Sequence, residues 1–140
     1  MIVAARTAAF GLPEVKRGLV AAAGGVLRLP QRIPFNIGME MLLTGEPITA
    51  ARAAELGLVN LVVEPNEATD AATTLARSIG QNAPLAVQTA KRLAHAARDW
   101  GDAEAFDLQR PATDAIRESQ DAGEGARAFL EKRPPHWIGA

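Results

Sequence analysis

The chain has 140 residues, 15 basic and 16 acidic for a formal net charge of -1, and no cysteine. Near-neutrality withholds the broad positive field that polynucleotide phosphates or an anionic membrane surface would require, so neither nucleic acid nor membrane is an expected partner. The missing thiols exclude disulfides, thiolate metal sites and a cysteine nucleophile, and fit a cytoplasmic location.

Met1–Ala5 reads as a short buried strand that begins abruptly, followed by a turn at Gly11-Leu12-Pro13. An opening inside an apolar strand is what a cut from a longer parent chain would leave. Gly18–Leu27 is uncharged and rich in small residues, so it is predicted to be buried with backbones close together. From Pro34 the pattern is helical, with Ile37, Met41 and Leu42 sharing a face and Thr44-Gly45-Glu46-Pro47 as the stop. Thr49 is placed to cap a short helix, Ala50–Leu56, that Gly57 ends in the left-handed conformation. Residues 58–63 predict a strand ended by Pro65, and Asn66 a cap for a helix that keeps Ala68, Ala72, Leu75 and Ile79 in phase. Asn82-Ala83-Pro84 breaks that helix. Further helices are predicted over Pro84–Arg98, Asp102–Ser119 and, after Asp121–Gly125, Ala126–Lys132, with Pro134 and Pro135 leaving His136–Ala140 as a tail. Two short strands at 1–5 and 58–63 do not make a stable sheet by themselves, so they are expected to need partners absent from these residues.

No apolar run reaches the ~18–20 residues that span a bilayer, and Met1–Arg6 lacks the basic-then-apolar layout of a signal peptide. His95 and His136 match no ligand spacing, so no metal is expected. Ser78, His95 and Asp99 form no identifiable triad, Gly24-Gly25 lacks a phosphate-loop pattern, and Trp100 and Trp137 have no basic run beside them. Glu14 stands out. It follows a Gly-Leu-Pro turn and precedes an apolar, glycine-bearing segment, a setting that can hold a carboxylate against a dry cleft where it exchanges protons. The other reading of Glu14 is an ion pair with Lys16 or Arg17 on a solvated loop.

Five blocks add to this. Phe10-Gly11-Leu12-Pro13-Glu14 resembles the F-G-x-P-E block of the crotonase superfamily, the enoyl-CoA hydratase/isomerase family. Gly24-Gly25-Val26-Leu27-Arg28-Leu29 is similar to its G-G-x-x-R-L segment, and Leu43-Thr44-Gly45-Glu46-Pro47-Ile48-Thr49-Ala50 to its L-T-G-x-x-[IL]-x-A block. Ala53–Asn60 resembles A-x-x-x-G-L-V-[NS], and Ala128-Phe129-Leu130-Glu131-Lys132-Arg133 the closing A-F-x-E-K-R. All five stand in family order.

The resemblance implies an α/β fold: the C-terminal part of a crotonase-like β-β-α spiral over 1–65, carrying the Glu14 loop, then a helical trimerisation region over 66–140. It implies chemistry on an acyl-CoA thioester, whose enolate two backbone N–H groups stabilise, each worth about 3–4 kcal/mol in comparable sites. Coenzyme A is then part of the substrate and no cofactor is expected. Glu14 matches the second of the two family glutamates; the first, and both oxyanion donors, would lie upstream of Met1. Pro13 and Gly18 match positions whose backbone lines the acyl cleft, or are turn-makers only. Phe129 and Lys132 match the closing segment near the acyl chain and CoA phosphates, or are a core aromatic and a solvated helix-end cation. Ala22 stands where many hydratases carry a water-orienting glycine, which leaves hydration and isomerisation both open. A homo-oligomer, trimer or hexamer, is implied. The reading from a different class is a catalytically silent oligomerisation fragment.

Overall fold

Valine and alanine at the start of the chain find their partner far along it. In the computed structural model, which describes residues 1–140, β1 (Val3–Ala5) runs parallel to β4 (Leu61–Val63), with Val3 opposite Leu61 and Ala5 opposite Val63. Asn60 fastens the entry: its side-chain oxygen accepts from Ile2 N–H at 2.7 Å, and its own N–H donates to Ile2 O at 2.9 Å. The two strands expected to lack partners therefore pair with each other, and an ion pair between Arg6 and Glu64 sits just beyond them. A second pair, β2 (Ala9–Phe10) antiparallel to β3 (Ile48–Thr49), was not foreseen, because two-residue strands leave no alternation to read.

The chain divides into two units, Met1–Leu75 and Ala76–Ala140. In the first, Thr49 caps α3 (Ala50–Glu55) as predicted, its Oγ1 accepting from Arg52 N–H at 3.2 Å, and Gly57 follows the helix at φ 77°. Ala4, Ala50, Ala53 and Val59 form the buried centre, packed by Ile2, Phe10, Ile48, Leu58 and Val62. Alanine here is a packing choice: with only a methyl on each face, α3 lies close on both strand pairs.

α1 (Gly25–Arg28) is a single turn, and α2 (Phe35–Thr44) buries Gly38, Met41 and Leu42. A methyl on Gly38 would stand 3.1 Å from Pro30 Cα, so glycine is what lets α2 approach that turn. Gly45 ends α2 at φ 67°, and a side chain there would meet Lys16 Cγ at 3.1 Å and Pro13 Cα at 3.3 Å. The segment Gly18–Leu27, predicted to be buried, is mostly exposed. Ala21 alone is buried, while Leu19, Val20 and Leu27 each stand more than half exposed. Apolar sequence specifies a surface that can be covered, and nothing in these residues covers this one.

After β4, Pro65–Glu67 form a turn closed by Glu67 N–H on Glu64 O, so α4 (Ala68–Gly80) begins beyond the cap expected at Asn66. In the second unit α5 (Pro84–Ala96) runs into a 3-10 turn, Ala97–Asp99, and packs on α6 (Asp102–Arg117). α7 (Gln120–Glu131) starts six residues before the predicted Ala126, at a Ser119 cap whose Oγ accepts from Ala122 N–H at 3.2 Å. Gly123 and Gly125, which argued for a loop, are tolerated in α7, and the Trp137 ring lies over Gly125, where a methyl would meet it at an ordinary contact distance of 3.4 Å. No helix is long and apolar enough to cross a membrane.

Candidate active site

Pro13 starts a 3-10 turn, Pro13–Arg17, because its fixed φ and missing amide suit a first helical position. Gly18 ends it at φ 71°, with Gly18 N–H bonded to Val15 O at 3.2 Å and Leu19 N–H to Glu14 O at 3.0 Å. Glu14 is thereby held by both ends of one turn. Its Oε2 is buried and accepts no hydrogen bond. The ion pair weighed for it does not form: Lys16 turns to Glu46 instead, at 2.6 Å, and Arg17 forms no ion pair with it.

Glu14 lines a cavity of about 500 Å³. The rest of the wall is apolar except for Gln31, with Ala21, Val26, Phe35, Met39 and Leu42 among its members. An unpaired carboxylate oxygen against such a wall is costly, since no donor replaces the lost water. A group kept there at that cost is suited to exchanging a proton with a bound molecule. Pro13 and Gly18 shape the turn and are not in the wall. Ala22 is exposed, whereas its neighbour Ala21 lines the cavity. The helical wall was missed in the sequence: Phe35, Met39 and Leu43 recur every four residues, a stripe beside the one centred on Ile37 and Met41.

Phe129 lies on α7 and Lys132 directly follows it, both in the second unit. Phe129 is 83% exposed, so nothing within these residues covers its ring. Lys132 is the only non-glycine residue with positive φ, 53°, and reverses the chain after α7. Around it lies a charge cluster that the sequence reading did not single out. Glu124 accepts from the Arg133 guanidinium at 2.6 and 3.1 Å and from His136 N–H at 2.8 Å. Hydrogen bonds from Arg133 and His136 hold its carboxyl down at about 2, and the same pairing raises Arg133 further. The segment His136–Ala140, predicted as a loose tail, is strapped down: Trp137 Nε1–H donates to Gln81 O at 2.7 Å, and Asp121 takes the amides of Ile138 and Gly139. No three His, Asp or Glu side chains converge as metal ligands do.

The cavity is thus apolar apart from Gln31 and Glu14, and Glu14 brings to it one buried, unpaired carboxylate oxygen. The sequence model of the family described as enoyl-CoA hydratase/isomerase matches residues 1–140, and the chain belongs to that family. It is 44% identical, over 99% of its length, to a carnitinyl-CoA dehydratase of Salmonella arizonae, of which it covers 54%. A carnitinyl-CoA dehydratase of Proteus mirabilis is 41% identical, with 55% covered. The crystal structure of an enoyl-CoA hydratase from Mycobacterium tuberculosis superposes on the whole chain with a TM-score of 0.97 and 53% identity, 56% of that structure being matched. The chain thus spans about half the length of the curated relatives it matches, and its α/β fold is that of the crotonase structures.

Proposed function

We propose that these residues form the C-terminal half of a crotonase-type enzyme and carry one of two acid-base groups for a reaction on acyl-CoA thioesters. The reaction is reversible addition of water to a 2-enoyl-CoA. Glu14 gives a proton to C2 as the thioester enolate collapses and takes it back in the dehydration direction, while a group outside these residues activates the water that bonds to C3. The observation that carries this reading is Glu14 Oε2, buried and unpaired in an apolar cavity of about 500 Å³. Removal of water from carnitinyl-CoA, after the names of the relatives, is the same chemistry run backwards. A shift of the double bond between C3 and C2 is the second reading. It is favoured by Glu14 being the only ionisable side chain in the wall, since one carboxylate can carry a proton from C2 to C4.

In this reading Pro13 and Gly18 set the carboxylate against the acyl chain, while Phe129 and Lys132 serve the acyl chain and phosphates of a thioester held by a neighbouring subunit. The assembly is a homo-oligomer, trimer or hexamer, in the cytoplasm. The test joins the chain to the unmatched segment of the Mycobacterium tuberculosis enoyl-CoA hydratase and follows crotonyl-CoA hydration and 3-enoyl-CoA isomerisation separately. Glu14→Gln keeps the shape and loses the proton, so turnover falls by roughly 10²–10⁴ while KM changes little. Equal turnover removes Glu14 from the reaction. The 140 residues alone are expected to hydrate crotonyl-CoA negligibly; a rate near the enzyme median of ~10 s⁻¹ would defeat the two-group scheme.

A further inference from the structure

Asp121 is the one buried charged residue, 2% exposed, and the chemistry above does not use it. Its Oδ1 accepts from Ile138 N–H at 2.8 Å, its Oδ2 from Gly139 N–H at 3.0 Å, and its own N–H donates to Ala140 O at 3.2 Å. One turn further along α7, Glu124 takes both Arg133 terminal nitrogens and the His136 amide. The Arg133 Nε also reaches Glu131 at 2.5 Å. Lys132 stands between Glu131 and Arg133 in sequence and forms no ion pair, because Arg133 occupies the carboxylates on either side of the reversal. Arginine wins them by geometry: its planar fork meets a carboxylate with two parallel donors, which a lysine ammonium cannot. The reversal itself needs holding, since Lys132 sits in a left-handed conformation that side chains disfavour.

We propose that Glu124 and Arg133, with Asp121 pinning the strap beyond them, are positioning residues that lock the reversal at Lys132 and keep its ammonium unpaired for the phosphate oxygens of a coenzyme A thioester. This rests on the reading of Lys132 as a thioester contact, and deepens it by naming what places the cation. The charge that meets the ligand and the charges that place it are thereby separate groups. A substitution in the pair acts on binding through the backbone of Lys132 and through competition for its ammonium.

The test uses the 140-residue chain, nitrogen-labelled for NMR, titrated with coenzyme A, with amide exchange measured at His136, Ile138 and Gly139. Glu124→Gln is expected to speed exchange at His136 and to weaken coenzyme A binding about tenfold, the scale of one charge-assisted contact. Arg133→Lys keeps a cation but loses the fork, so it is expected to follow Glu124→Gln in both readouts; parent-like exchange and affinity in Arg133→Lys would overturn the fork as the lock on the reversal. Faster exchange in Glu124→Gln with unchanged coenzyme A affinity would make the cluster structural only and overturn the proposal, as would unchanged exchange. Lys132→Ala separates the layers: if it binds coenzyme A as the parent does, the thioester role of Lys132 fails and this inference with it. If Lys132→Ala weakens binding and Glu124→Gln does not, this inference alone fails.

Discussion

Replacing Gly45 by alanine probes how α2 holds the turn that carries Glu14. Two costs add. Gly45 has φ 67°, and an alanine in the left-handed region costs about 1–2 kcal/mol. The new methyl would also stand 3.3 Å from Pro13 Cα and 3.1 Å from Lys16 Cγ. Lysine can swing away, but the Pro13 backbone has to give, and forcing a methyl into a packed contact adds about 1 kcal/mol. Gly57 supplies the control: its φ is 77°, and nothing lies within 4 Å of the methyl it would gain. Gly57→Ala therefore carries the conformational cost alone, and both positions belong to the same unit. Gly45→Ala should be the less stable variant by about 1 kcal/mol, a Tm difference of roughly 3–5 °C for a chain of this size. Thermal melts followed by far-ultraviolet circular dichroism measure it, and nuclear magnetic resonance shifts of Glu14 should move in Gly45→Ala and not in Gly57→Ala. Equal melting of the two variants would refute the contact between Gly45 and the turn as the reason for glycine there.

Thr49→Ala removes the acceptor of Arg52 N–H and should cost about 1 kcal/mol in urea melts, the usual worth of a threonine cap; a neutral substitution would show that α3 is held by packing alone. Glu124 lies at about 2 against an ordinary 4.5, so its contribution to stability is complete above pH 4.5 and is lost as pH falls from there through about 2. Acid titration of stability should therefore be shallower over that window in Glu124→Gln, and an identical pH profile would remove the Arg133 pairing from the stability of the second unit. Leu19, Val20, Leu27, Phe35 and Leu43 each exceed 60% exposure, and such a face should drive association at rising concentration. Light scattering of the parent against Leu27→Glu checks this, a monodisperse parent counting against it.

Local signals survived into the structure where one residue type does one job. Thr49 caps, Gly45 and Gly57 stop helices, and Pro84 starts one, each where the sequence places it. What escaped depends on groups distant in sequence. The parallel pairing of 3–5 with 61–63 leaves no trace in either strand, because each shows only that it is apolar. Gly123 and Gly125 argued against a helix whose start is fixed by Ser119 and over whose Gly125 the Trp137 ring packs. Gly18–Leu27 was misjudged because composition reports what a surface wants, and whether these residues supply it is a separate matter. The sequence singles out Glu14 by its turn and its family block, and the structure places its buried Oε2 in the cavity wall. The stripe Phe35, Met39 and Leu43 was visible as a period but had no reason to be preferred until the cavity located it.

The pairing of β1 with β4 also sets an order of events. Its register joins residues at the start of the first unit to residues near its end, so the sheet closes a loop of nearly sixty residues. The chain-length part of that closure entropy is roughly 3–4 kcal/mol, and it has to be met before Ala4 and Val59 can bury each other around α3. Helices α2 and α3 are local and form first; the strand at the start waits for the strand at the end. Residues 3–5 are thus made well before their partners at 61–63, and until Val63 is available that pairing edge is open to other chains.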